Sequence, residues 1–279
     1  MSTATRLQAN DLYFDYDHDI QALDGASLEL GSGQSLALIG RNGSGKTTLA
    51  KCLGGVVRPS SGKVTLDGAD LAGMSPTERA AIIGFVFQSP DHQIFSATTE
   101  EEIAFGPRQL GLSDAEVQRR TEASMTYFGL TPYRQDPPAS LSFGLRRKIT
   151  VASVHAMQPS IIILDEPTLG LDWQAATNLM EAMRSLQRRG ASLVFVSHDL
   201  RLVAEYSQDC AVLQSGHIAA QGPTIEILTD DKKLASAGLS APPIVELARQ
   251  LMPFGLNRSA ITVGSFVDAY STLLAEAAA

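Results

Sequence analysis

Apolar positions along the chain fall into two patterns. Short unbroken runs of strand length, SLALI (35–39), IIGFVF (82–87), IIIL (161–164) and LVFV (193–196), predict buried strands. LEL (28–30) and KVTL (63–66) add strands beside the turns GSGQ (31–34) and Asp67-Gly68, so the first forty residues read as strand. Helical spacing fills the gaps, at KTTLAKCLGG (46–55) with Gly54 and Gly55 as candidate caps, and at about 142–157, 173–189 and 199–207. A hairpin is expected at Ser215-Gly216. Strands alternating with helices predict an α/β fold with a mostly parallel sheet and helices on both faces.

Two stretches break this alternation. Residues 89–140 show helical periodicity and little strand signal, with Ser113 and Glu116 spaced as a capping box opening a helix through Phe128, and Pro137-Pro138 marking the exit. They read as an inserted helical subdomain, about 89–157 with the helix that follows. After Gly222-Pro223 three short helical patterns suggest a helical appendage over 223–279, leaving 1–222 as the main domain.

Composition narrows the function. The chain has 279 residues, 44% apolar, enough for a large core, and a net charge of -8. An acidic chain is repelled by nucleic-acid backbones, so no nucleic-acid partner is expected. Cys52 and Cys210 read as reduced thiols. The start, MSTATRLQAND, has no apolar stretch after a basic one, which argues against a signal peptide, and no apolar run is long enough to span a bilayer. Any membrane task therefore falls to partners. The histidines at 18, 92, 155, 198 and 217 show no metal-ligand spacing.

The chemistry begins at GRNGSGKTT (40–48), which fits G-x-x-x-x-G-K-[ST] between a buried strand and a helix. In such a loop, Gly40, Asn42, Gly43, Ser44, Gly45 and Thr48 offer backbone N–H groups to phosphates at a helix N-terminus. Lys46 reaches the β- and γ-phosphates and Thr47 offers a hydroxyl to Mg²⁺. IIILDE (161–166) ends a buried strand in two carboxylates. Beside a phosphate loop, Asp165 would hold Mg²⁺ through water and Glu166 would polarise an attacking water. His198 and Gln88 each follow a strand and face the same crevice, His198 toward a γ-phosphate and Gln88 toward Mg²⁺ and the water. A capping histidine and an ordinary loop glutamine fit the same positions.

Taken together these residues resemble the nucleotide-binding subunit of an ATP-binding cassette (ABC) transporter, over about residues 5–222. Gln88 resembles that family's Q-loop, LSFGL (141–145) its signature, Leu169 to Asp172 its D-loop, and Tyr16, with Tyr13 as a weaker candidate, its adenine-stacking aromatic. The signature departs from LSGGQ at Phe143 and Leu145. The resemblance implies that Ser142 and Gly144 contact ATP on a second ATPase subunit, identical or paralogous, and that ATP and Mg²⁺ close the pair. SPDHQIFSATTEEEIAFGPRQLGL (89–112), through Pro90, Gln93 to Phe95 and Ala104 to Pro107, further resembles the ATPases of energy-coupling-factor (ECF) importers of vitamins, cobalt or nickel, with the cobalt type favoured. GLSAPPIVELARQL (238–251) resembles that group's dimerisation appendage, with Ile225, Ile227, Leu228, Val245, Leu247 and Leu251 as a packing face. The resemblance implies integral membrane partners and a peripheral place on the cytoplasmic face of the membrane.

Overall fold

The computed structural model describes residues 6–17, 20–256 and 260–277; His18 and the first five residues lie outside these. In chain order the elements are β1 (Leu7–Tyr16), β2 (Ile20–Leu30), β3 (Ser35–Ile39), α1 (Lys46–Leu53), β4 (Ser61–Leu66), β5 (Ala69–Asp70), α2 (Pro76–Ile82) and β6 (Ile83–Val86). Next come α3 (Thr99–Gln109), α4 (Asp114–Phe128), α5 (Phe143–Met157), β7 (Ile161–Asp165), α6 (Trp173–Arg188), β8 (Ser192–Val196) and α7 (Leu200–Tyr206). The chain continues through β9 (Asp209–Gln214), β10 (His217–Pro223), α8 (Thr224–Leu228), α9 (Asp231–Ser236), α10 (Pro243–Leu251) and α11 (Val263–Ala277).

Six strands form the main sheet in the order β10-β9-β3-β8-β7-β6, parallel except for the β9–β10 hairpin. This is the P-loop NTPase architecture, and strand alternation builds its two cores. Leu36, Leu38, Ile161, Ile163, Val194 and Val196 face one side, while Ala37, Ile39, Ile162, Leu164, Leu193 and Phe195 face the other. Each fully buried Leu, Ile or Phe contributes roughly 1.5–3 kcal/mol. The second side packs on helices, as expected. The first packs on α1, so helices do lie on both faces, and also on a four-stranded antiparallel sheet, β2-β1-β4-β5, that the alternation did not predict. Irregular pairing of β1 with β2, with register shifts after Ala9, Leu12 and Phe14, blurs the alternation that would announce that sheet.

Two further elements depart from the sequence pattern. Helix α2 is held by a complete capping box, Ser75 with Glu78, behind Pro76. At α4 only half of the expected box forms. Ser113 Oγ accepts the Glu116 N–H at 3.4 Å, while the Glu116 carboxylate turns to Arg119 and Arg120. Among the described residues, the stretch after β10 holds four α-helices rather than the three expected. Its expected single packing face divides: Ile227 and Leu228 join the main core with Leu234 and Ala237, Val245 is buried, and Leu247 is exposed. A separate small cluster of Ala248, Leu256 and Ala260, with Phe266, Ala269 and Leu273 packed against it, ties α10 to α11.

The inserted helices α3, α4 and α5 pack on one another and share the main core through Ile103, Met125, Phe128 and Ile149. Between α4 and α5, His155 stacks on Tyr127 with ring centroids 5.3 Å apart, and Ser124 Oγ lies 2.5 Å from its Nδ1. Burial, with Arg189 nearby, pushes the imidazole from 6.5 down to about 4. The folded chain therefore keeps it neutral where the unfolded chain protonates it. Stability should be lost as pH falls from 6.5 toward 4, by up to about 3 kcal/mol. Thermal midpoints measured across that window should fall, and fall less steeply in His155→Gln.

Candidate functional site

Parallel pairing puts the carboxyl ends of β3, β6, β7 and β8 along one edge, so the residues that follow them meet there. After β3 the chain turns through Gly40 to Gly45 into α1. The turn demands glycine at its two ends. Gly40 has φ 148° and a Cβ there would lie 2.3 Å from the Leu213 carbonyl oxygen; Gly45 has φ 102° and its Cβ would lie 2.4 Å from that of Ala22. Lys46, almost fully buried, bends back over the loop and donates to the carbonyls of Gly40 at 2.9 Å and Arg41 at 3.0 Å. Burial lowers its pKa, opposed by the charges of Glu166 and Asp165. Ser44 Oγ is buried and has no hydrogen-bond partner among the described residues. Asn42 and Gly43 are exposed at the loop's crest.

Thr47 Oγ1 donates to Asp165 Oδ1 at 3.0 Å, joining α1 to the tip of β7. Burial raises the pKa of Asp165, against the Thr47 hydrogen bond and the positive charges of Lys51, Lys46 and Arg147. Glu166, next along, has φ 45° and lies in the left-handed region, a backbone cost that β7 and β8 impose by holding its N–H to the Val196 carbonyl at 3.2 Å. That turn aims its carboxylate at His198, whose Nδ1 lies 2.9 Å from Glu166 Oε2. Burial also raises the Glu166 pKa, ahead of the opposing pull of His198 and Lys46. A carboxylate so placed is a stronger base than a solvated one, and the exposed histidine can both orient it and reach a ligand.

Tyr16 is half-exposed beside α1 and its hydroxyl lies 3.2 Å from Thr48 Oγ1. Tyr13 turns instead toward the bend at Gly25. Gln88 stands past the end of β6 with an exposed side chain that makes no hydrogen bond among the described residues; its carbonyl is held by Arg147. Ser142 caps α5, accepting the Leu145 N–H at 3.4 Å, and among the described residues no hydrogen bond joins Ser142 or Gly144 to the loop at 40–48. The structure thus brings together Lys46, Thr47, Asp165, Glu166 and His198, and holds Ser142 and Gly144 apart.

A family model described as ABC transporter matches residues 23–169. The chain belongs to the ABC transporter family. This ABC protein is 36% identical over 277 residues to the energy-coupling factor transporter ATP-binding protein EcfA of Methanosphaera stadtmanae, covering 97% of this chain and 98% of that one. It is 37% identical over 260 residues to the cobalt import ATP-binding protein CbiO of Rhodobacter capsulatus, covering 91% and 92%. The solved structure of cbiO1 from Clostridium perfringens, described as part of the ABC transporter complex cbiONQ, superposes with a TM-score of 0.73 at 28% identity, over 88% of this chain and 95% of that one. Two other relatives, putative ABC transporter ATP-binding proteins, are longer, and the chain spans 43% and 42% of their length. No helix among the described residues is long and apolar enough to cross a membrane.

The departures in this ABC signature have a packing explanation. Phe143 lies against the turn at Gly170 of its own chain, where a Cβ on Gly170 would sit 3.0 Å from the ring, and Leu145 packs toward the main core. Sequence reasoning passed over Arg147, which is fully buried behind this signature. Its place in a helix that is mostly buried from Arg147 to Ala156, leaving little solvent face for a charge, is the signal that points to it.

Proposed function

We propose that this chain is the ATP-binding and ATP-hydrolysing subunit of an ECF importer, that it works at the cytoplasmic face of the membrane, and that its cargo is cobalt. The observation that carries the motor reading is the meeting of Lys46, Thr47 and Asp165 with the Glu166–His198 pair at one sheet edge. The loop from Gly40 to Thr48 cradles the ATP phosphates and Tyr16 takes the adenine. Glu166 accepts the proton of the attacking water, oriented by His198, and Gln88 senses Mg²⁺ and that water.

The donor set fits Mg²⁺. Two hard oxygens, of Thr47 and Asp165, converge within 3.0 Å, and no cluster of three or more His, Cys, Asp or Glu side chains among the described residues forms an all-protein cage. That is the pattern for an ion held by one carboxylate and substrate phosphates. When bound, Mg²⁺ supplies charge neutralisation at the phosphates, with Thr47 and Asp165 as its protein ligands and Gln88 beside it.

Partners follow from what stays exposed. Two parts of the ECF-like stretch 89–112 converge on one groove: Phe95 and Phe105 lie edge to face at 4.7 Å, opposite Phe85 and Phe87. Glu102 holds the Phe95 and Ser96 N–H groups at 3.0 and 2.8 Å, fixing the lip of this groove. We assign it to the integral membrane component. Exposed Leu247, Phe254, Val263, Val267 and Leu274 on the appendage support a second ATPase subunit there, with residues 223–279 as the dimerisation domain. Ser142 and Gly144, at the N-terminus of a helix, would complete the neighbour's ATP site.

The cargo reading is supported by the relative named as a cobalt importer subunit; the EcfA relative carries no cargo in its name. Uptake of labelled cobalt, nickel and vitamins by cells producing this chain with its co-encoded membrane proteins is the test. Cobalt uptake that ceases with Lys46→Ala is expected. Uptake of nickel or a vitamin alone would replace the cargo, and absence of ATP turnover in the assembled complex would overturn the motor.

A further inference from the structure

Arg147 is the bulkiest of the fully buried side chains among the described residues, and it carries a charge. Its guanidinium Nη1 donates to the Phe87 carbonyl at 2.6 Å and Nη2 donates to the Gln88 carbonyl. One turn earlier on α5, the Phe143 ring lies 5.7 Å from the guanidinium carbon. A buried cation persists only where such partners compensate it. Both acceptors belong to the segment that carries Gln88.

The rest of that segment is tied to the same helix. Gln93 accepts the Phe87 N–H at 3.3 Å and donates its amide to Thr150 and Ser153 of α5, at 3.2 and 3.4 Å. Arg146 of α5 pairs with Asp91. Phe87, Gln88, Asp91 and Gln93 are each linked to α5, which begins at the Ser142 cap. The loop is thus strapped to the signature helix, and its end at β6 is joined to β7 and the Asp165–Glu166 tip.

We propose that Arg147 is a positioning residue that ties Gln88 to the signature helix, so that occupancy of Ser142 and Gly144 by a neighbour's nucleotide is passed to Gln88 in its own chain. The signature's departure serves this strap: Phe143 packs between the Gly170 turn and the guanidinium, where a glycine would leave that face of Arg147 bare. The inference rests on the role proposed for Gln88.

The test is a double-mutant cycle on ATP turnover with Arg147→Met, Arg147→Lys and Gln88→Ala. Arg147→Met should lower kcat by about 10²-fold, the scale of a slightly misplaced group, while the KM for ATP changes by less than about threefold. Arg147→Lys, which keeps the charge and one donor, should recover part of the loss. In the Gln88→Ala background either Arg147 substitution should add little, because the group it positions is gone. Additive losses, or a rise in KM with kcat unchanged, would overturn the inference and assign Arg147 to packing alone. If Arg147→Met does not fold, the Arg147→Lys cycle gives the same decision. Wild-type protein without turnover would instead sink the motor reading, so the two failures are distinguishable.

Discussion

Glu166→Gln should leave ATP binding intact while lowering turnover by about 10²–10⁴-fold. The substitution keeps the shape of the side chain and its 2.9 Å contact with His198, so the loop and the Mg²⁺ ligands are undisturbed. What it removes is the proton acceptor. Burial makes the Glu166 carboxylate more basic than a solvated one, and the left-handed turn at φ 45° fixes where it points. A binding titration and a phosphate-release assay on the same preparation separate the two effects. Equal loss of binding and turnover would mean that Glu166 shapes the site rather than serving as its base.

Lys46→Ala should act earlier, on binding itself. The ammonium is the positive charge placed among Asp165, Glu166 and the loop carbonyls. Without it two buried carboxylates face an incoming polyphosphate, with Lys51 and Arg147 as the positive charges left to oppose Asp165. Removing a buried partner of a charged group costs about 2–5 kcal/mol, on the order of 30-fold to 4,000-fold in Kd. Calorimetric titration with ATP reads this directly, with the circular dichroism melt as the check that the chain still folds. Wild-type affinity in Lys46→Ala would detach the loop from ATP.

Much of the site was legible because its constraints are local. Gly40 and Gly45 stand where the backbone admits no Cβ, and IIILDE states both a buried strand and its carboxylate end. Parallel pairing then carries Gln88, Glu166 and His198 to one edge without further information. Helix α2 is equally legible, since Ser75-Pro76-Thr77-Glu78 spells a capping box. Other features depend on contacts between distant segments. Arg147 looks like any basic residue after the signature until β6 and α5 bring Phe87 and Gln88 to its guanidinium. Phe143 looks like an obstruction to ATP until Gly170 is seen beneath it. The antiparallel sheet stayed hidden because the bulges in β1 break its alternation, and its partner β4 lies some fifty residues away in the chain.

The central proposal is that the loop at 40–48 is half of a site, completed by the signature of another subunit. Lys46→Ala disables the loop and spares the signature; Ser142→Arg blocks the signature and spares the loop. Phosphate release by each variant alone and by their equimolar mixture decides the matter. Each alone should be inactive, and the mixture should recover about a quarter of wild-type turnover, because half of randomly formed dimers would hold one intact composite site of two. Full turnover by Ser142→Arg alone, or no recovery on mixing, would contradict a site shared between copies of this chain.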